Sequence, residues 1–263
     1  MKSVKIHPTA LVDKRVELDD DVEIGPFTVV KGKVWIGRGT RVESHAVIGS
    51  EHGEVKIGRN NQIFPGAMVG GPPQDLKFKG ETTRLEIGDG NMIREFVTIN
   101  VGTLTGGGLT RIGDNNLLMA YVHVAHDCHL GNNIAVANTT NFAGHVYVED
   151  HARIGGVCAI NQFCRIGKYA FIAGDSAVNK DIMPFTMAQG KYAVSRVPNE
   201  VGMERAGFSK SDIENIWRAV RIITKGGRTI DEALTDIAKD CEPSEHIQYL
   251  VDFIKNSERG IAR

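Results

Sequence analysis

Residues 112–147 read, in sixes, IGDNNL, LMAYVH, VAHDCH, LGNNIA, VANTTN and FAGHVY. Each block opens on a large apolar residue: Ile112, Leu118, Val124, Leu130, Val136 and Phe142. Side chains alternate along a strand, so a residue that recurs every six returns to the same face. Six residues supply one short strand and one turn, and three such sides close a triangular coil of about eighteen. Stacked coils hydrogen-bond at ~4.8 Å spacing, and branched aliphatic leads suit the buried axis.

The register extends in both directions. It continues from Val148 through Ile154, Ile160, Ile166 and Ile172 to Val178. Upstream it opens at Ile6 and runs through Val12, Leu18, Ile24, Val30, Ile36 and Val42 to Ile48, then resumes at Ile57 to Val69 and Ile87 to Ile99. Of 26 lead positions, 25 are Ile, Val or Leu, with Phe142 the exception. Glycine often follows the lead, as at Gly113, Gly131 and Gly155, where it can turn the corner or lie close to the next coil. The repeats predict an all-β solenoid of about nine coils, a prism about 40 Å tall, over residues 1–191. The register breaks near 49–56, 70–86 and 100–111. Residues added there are expected to leave the wall as loops, where function tends to sit. The run Gly106-Gly107-Gly108 lacks the Lys-Ser/Thr of a phosphate-binding loop and reads as a flexible loop.

After Met183-Pro184 the sixes stop. Ser209 precedes a helical run from Ile213 to about Lys225, ended by Gly226-Gly227. Thr229 to Glu232 is a capping box for a helix through about Lys239. Ser244 to Ser257 reads as a last helix, and a shorter one fits near Pro198 to Ala206. Residues 192–263 are thus expected to form a helical domain that caps one end of the prism.

With 263 residues and a net charge of −1, the chain is not a general nucleic-acid binder. No apolar stretch is long enough to span a bilayer, and the N-terminus lacks a signal-peptide core. Cys128, Cys158, Cys164 and Cys241 have no paired metal spacing and read as reduced thiols of a cytoplasmic protein.

His123, His126, Asp127, His129 and His145 crowd one stretch. A zinc site is one reading and solvated surface histidines another. Against zinc, His123 and His129 hold the same place on successive sides and should point from different faces. Steps of eighteen are more telling. His126, Gly144 and Gln162 are each third in their hexads, one coil apart, so they should stack in a column, with His145 beside it and His123 before it. Imidazole can act as a base near neutral pH, Asp127 could fix its tautomer, and a glycine N–H can stabilise an oxyanion. This set suits acyl transfer from a thioester to a hydroxyl, with no metal or cofactor.

The segments Gln74-Asp75-Leu76-Lys77, Ile93-Arg94-Glu95, His123 to Cys128, Ala143-Gly144-His145, Gln162-Phe163-Cys164 and Ala188-Gln189-Gly190 together resemble the UDP-N-acetylglucosamine O-acyltransferases, hexapeptide-repeat enzymes of lipid A biosynthesis. The resemblance covers essentially the whole chain. It implies a cytoplasmic homotrimer of left-handed β-helices with active sites between subunits. It also implies transfer of an (R)-3-hydroxyacyl chain from acyl carrier protein to the sugar 3-hydroxyl of UDP-GlcNAc.

By position, His126 is then the general base, Asp127 its partner and the Gly144 N–H the oxyanion donor. Gln74, Asp75, Lys77, His123, His145 and Gln162 would hold the two substrates, and Asn199 and Arg205 the nucleotide. Gly174 would end the acyl groove, and its lack of a side chain suggests a chain of about C12–C14, with Tyr192 near the tail. Val201 and Ala206 stand where the family often has Glu and a second Arg. Arg218, Arg221, Lys225 and Arg228 fall near one helix face, which is either solvated or a dock for the acidic carrier protein. Three alternatives are a 3-amino UDP-sugar acceptor, the sibling N-acyltransferase and a non-catalytic scaffold. The sibling usually carries a domain before its repeats, and here they start at Ile6.

Overall fold

Each hexad folds as a short strand followed by a turn, and the strands stack into three parallel sheets that form the faces of a prism. The computed structural model describes residues 3–263. The wall is a left-handed parallel β-helix. Its first face begins at Lys5–Ile6, its second at Leu11–Val12 and its third at Glu17–Leu18. Neighbours in the regular part are one coil apart, as where His123 pairs with Asn141 and Asn141 with Ala159. The lead side chains fill the axis, and Ile36, Ile63, Ile99, Leu118 and Phe142 are fully buried.

Corners turn on a left-handed residue, with φ of 55° at Asn115, 59° at Asp127, 55° at Asn133 and 62° at His145. The glycine after the lead has a different task. A Cβ at Gly113 would lie 2.6 Å from the Gly131 carbonyl oxygen, so close stacking of coils excludes it.

The insertions only partly leave the wall. Residues 53–56, 83–86 and 109–111 lengthen strands of the third face, giving Gly53–Ile57, Thr83–Ile87 and Leu109–Ile112 beside Lys33–Ile36. The reason is alternation: Val34, Val55, Leu85 and Thr110 point inward and are buried, so the added residues extend the core as well as the ladder. What remains outside is a loop at 72–82 and a tight turn at 101–108, which holds a 3-10 helix at Leu104–Gly106.

The first face also runs past residue 191. A hairpin of Thr186–Gly190 and Ala193–Pro198 pairs with Phe171–Ile172, so the chain stays in the sheet until Pro198. Four helices follow: α1 (Glu200–Arg205), α2 (Lys210–Thr224), α3 (Ile230–Asp240) and α4 (Glu245–Lys255). Ser209, Thr229 and Ser244 cap the last three, with the reciprocal capping box at Thr229 and Glu232. Ile216, Val220, Ile237 and Leu250 pack with Met183 and Phe185 in a second core. Arg165 over Phe253 and Lys168 over Tyr249 tie α4 to the prism. No helix among the described residues is long and apolar enough to cross a membrane.

Candidate active site

The edge between the second and third faces carries His126, Gly144 and Gln162 on successive coils. His145 N–H donates to the His126 carbonyl at 3.1 Å, and Phe163 N–H to the Gly144 carbonyl at 3.3 Å. Left-handed φ values at Asp127, His145 and Phe163 turn their side chains along the same edge. His145 stacks on Phe163 at 4.4 Å between ring centroids and meets His126 edge-on at 5.2 Å.

His126 Nδ1 lies 2.8 Å from Asp127 Oδ2. Asp127 is buried, at 2% exposure, and accepts from Thr103 N–H at 2.8 Å and Thr103 Oγ1 at 2.6 Å. Burial pushes its carboxyl up, but the hydrogen bonds from His126 and Thr103 outweigh this and hold it below the usual carboxylate range. An ionised carboxylate only accepts, so Nδ1 carries the proton and Nε2 presents its lone pair. Gly144 gives the imidazole its seat: a Cβ there would stand 2.5 Å from His126 Cε1 and 2.9 Å from Nε2. Among the described residues the Gly144 N–H has no hydrogen-bond partner. A basic nitrogen and an unpaired N–H thus lie side by side.

His123 binds Thr98 Oγ1 through Nδ1 at 2.7 Å and points from the second face, whereas His129 points from the third. Burial lowers the pKa of both His123 and His145, which favours the uncharged imidazole at each. His126, Asp127 and His145 bring three possible metal-ligand atoms within 4.8 Å of one another, a grouping that the divergence of His123 and His129 leaves untouched. Asp127 already accepts from Thr103 at both oxygens and from His126 at one, three of its roughly four lone-pair sites, which suits an orienting group better than a ligand. Cys128 is fully buried, donates to the Ala143 carbonyl and is pushed up to about 12 chiefly by burial, far from a thiolate nucleophile. All four cysteines are free and buried.

Three comparisons bear on this geometry. A family model described as Udp N-acetylglucosamine O-acyltransferase, domain 2, matches residues 181–262, and a bacterial transferase hexapeptide model matches 15–50. The acyl-(acyl-carrier-protein)–UDP-N-acetylglucosamine O-acyltransferase of Halorhodospira halophila is 48% identical over 259 residues, 98% of this chain and 99% of that protein. Its counterpart from Alkalilimnicola ehrlichii is 49% identical with the same coverage. The chain belongs to the UDP-N-acetylglucosamine O-acyltransferase family. The solved O-acyltransferase of Moraxella catarrhalis superposes with a TM-score of 0.93 at 44% identity, covering 98% of this chain and 99% of that one.

The remaining positions implied by the O-acyltransferase resemblance fall in three places. Asp75 lies in the 72–82 loop, and its charge reaches His145 and favours that imidazolium. Gln74 and Lys77 beside it are exposed.

Asn199 and Arg205 line a cavity of about 590 Å³ with His151, Arg153 and Tyr169, on the edge between the third and first faces, away from His126. Asn199 is also the α1 cap: it accepts from Gly202 N–H and donates to the Tyr169 carbonyl, so both ends of its amide have partners in the chain.

Gly174 lies on the edge between the first and second faces, because 48 residues from His126 is two coils plus two sides. It does not share the His126 edge of its own chain. Tyr192 is exposed at the hairpin tip, which Lys191 ties to Asp175 at 2.7 Å.

The four cations at 218, 221, 225 and 228 line one groove on α2 and its following turn. Two have partners: Arg218 donates to the Asp240 carbonyl and Arg228 pairs with Asp236. Thr103, Thr98 and Phe163 join the site although none was a candidate site residue. Thr103 had a local signal in its place in a register break, and Phe163 in the segment Gln162-Phe163-Cys164.

Proposed function

We propose that the chain transfers an (R)-3-hydroxyacyl group from acyl carrier protein to the 3-hydroxyl of UDP-GlcNAc, the first acylation of lipid A synthesis. His126 Nε2 takes the proton from the sugar hydroxyl as its oxygen attacks the thioester carbon. The carbonyl oxygen gains the charge and meets the Gly144 N–H. The intermediate collapses, the carbon–sulfur bond breaks, and the imidazolium returns its proton to the leaving thiolate. Asp127 holds the imidazole throughout. His123 and His145, with Gln162, Asp75, Gln74 and Lys77, bind sugar and donor by hydrogen bonds. No cofactor is required, since the donor arrives as a thioester.

The observation that carries this reading is the Asp127–His126 pair with Nε2 beside the unpaired Gly144 N–H. A homotrimer belongs to the proposal. The cavity holding Asn199 and Arg205 and the corner at Gly174 lie on other edges than His126, so one complete site requires neighbouring chains. An open Gly174 corner favours a chain of about C12–C14, gated by Tyr192 of the same corner.

His126→Ala tests the reading. It should keep the assembly and substrate binding while kcat falls about 10²–10⁴-fold, and Cys128→Ala should leave kcat within about threefold. Ping-pong kinetics, or turnover surviving in His126→Ala and lost in Cys128→Ala, would overturn it. A donor series from C10 to C16 with Gly174→Met, and UDP-GlcNAc bearing a 3-amino group, test the acyl and acceptor assignments.

A further inference from the structure

The turn at 101–108 closes over the one carboxylate that touches His126. A Cβ at Gly106 would lie 2.1 Å from Asp127 Cγ, and one at Gly102 would lie 2.9 Å from Oδ1. The glycine run read as a flexible loop is therefore packed at its first member, while Gly107 and Gly108 face open space.

Thr103, at 4% exposure, is the polar contact of this turn. Its N–H donates to Oδ1 and its hydroxyl stands 2.6 Å from Oδ2. A hydroxyl has one proton and two lone pairs. Gly106 N–H donates to Thr103 Oγ1 at 3.1 Å, and Thr105 Oγ1 stands 3.1 Å away on another side. The carboxylate can only accept, so the Thr103 proton points at Asp127. His145 Nε2, 3.8 Å from the same oxygen, is an alternative partner toward which an untethered carboxylate could rotate.

We propose that Thr103 is a positioning residue for acyl transfer: its N–H and O–H grip both oxygens of Asp127 and aim the carboxylate at His126 Nδ1. The third register break thereby carries part of the catalytic machinery. This rests on His126 as the base and goes one group further out.

Thr103→Val keeps the branched shape and removes the hydroxyl. A hydrogen bond to a charged group accounts for about a ten- to hundredfold change in rate. We expect kcat to fall by about that factor with KM for both substrates within about twofold. Thr103→Ser should restore most of the turnover. In an Asp127→Asn background Thr103→Val should add less than about threefold, because both changes act through one carboxylate. If the Val variant does not fold, Thr103→Ala takes its place with the same expectations. Unchanged kcat, a rise confined to KM, or full multiplication of the two losses would overturn the proposal. Normal turnover in His126→Ala would refute the base instead. Loss there beside wild-type rates in Thr103→Val would refute only the role of Thr103.

Discussion

On the edge between the third and first faces, Asn61, Asn91 and Asn116 stack inside the corner of successive coils. On the edge between the second and third, His126, Gly144 and Gln162 stack on the outside of theirs. Both columns obey the same six-residue rhythm, yet their polar groups end differently. Asn91 Oδ1 accepts from Asn116 N–H, and its amide donates to Asn61 Oδ1 and the Gly113 carbonyl. Asn61 and Asn116 repeat the pattern against Gly88 and Gly131. Every one of these polar atoms has a partner within the chain. The His126 column presents a lone pair and an N–H with none. The inner positions of that second edge are Cys128, Val146 and Cys164, so it is held by packing and its polar groups face outward. A satisfied column holds coils in register, and an unsatisfied one is available to a reacting molecule.

The strongest way to break this contrast is Asn91→Leu. It leaves the Gly113 carbonyl and the Asn116 N–H buried and unpaired, at about 1–3 kcal/mol each. We expect a stability loss of about 2–6 kcal/mol in denaturant unfolding, with kcat of the folded enzyme unchanged. A small loss of stability, or a fall in kcat, would show that the two edges are not separate in role.

Gly144→Ala probes the other column. The added Cβ would overlap the His126 ring, so the imidazole must move off its seat and away from the oxyanion donor. We expect a loss of about a hundredfold in kcat and little change in melting temperature. A stable variant with full turnover would remove Gly144 from the mechanism.

The aliphatic leads made the prism legible, because a period of six over 26 hexads leaves no other fold that buries them on one axis. The helix caps at Ser209, Thr229 and Ser244 were legible for the same local reason. The column of His126, Gly144 and Gln162 followed from counting eighteen. Three things did not follow. Lengthened strands on the third face depend on neighbouring insertions matching one another, which no single hexad reveals. Thr103 reaches Asp127 across 24 positions through a turn with no repeat. The edge that Gly174 occupies emerges only when sides are counted as well as coils, since 48 residues from His126 is two coils and two further sides.

A titration separates the edges more gently. Burial lowers the pKa of His123 and His145; nearby His126 adds to this for both, and Asp127 and Asp75 oppose it for His145. Between those lowered values and the unfolded value of about 6.5, the unfolded chain binds more protons. Stability should therefore decline as pH falls through about 6.5. His145→Gln should flatten the decline, whereas Asn91→Leu should shift the whole curve down without changing its slope. Melting temperatures between pH 7.5 and 5.5 decide it, and an unaltered slope in His145→Gln would contradict the assignment of burial as the cause.

The smallest expected effect extends the contrast to the helical domain. Arg218 and Arg228 have partners in Asp240 and Asp236, while Arg221 and Lys225 have no ion pair among the described residues. If unpaired groups mark contact with other molecules here too, the second pair should meet the acidic carrier protein and the first should not. Exposed charges act chiefly on encounter rate and are screened by salt. Arg221→Ala and Lys225→Ala should each raise KM for the acyl carrier protein about two- to fivefold at low ionic strength, leave KM for UDP-GlcNAc alone, and converge on the wild type in about 0.5 M salt. Arg228→Ala breaks an ion pair that is only about one-third exposed on each side, so it should lower stability slightly and leave KM unchanged. Equal effects from all four cations would mean that the groove works through its summed charge, and that partnership within the chain does not distinguish contact residues on this face.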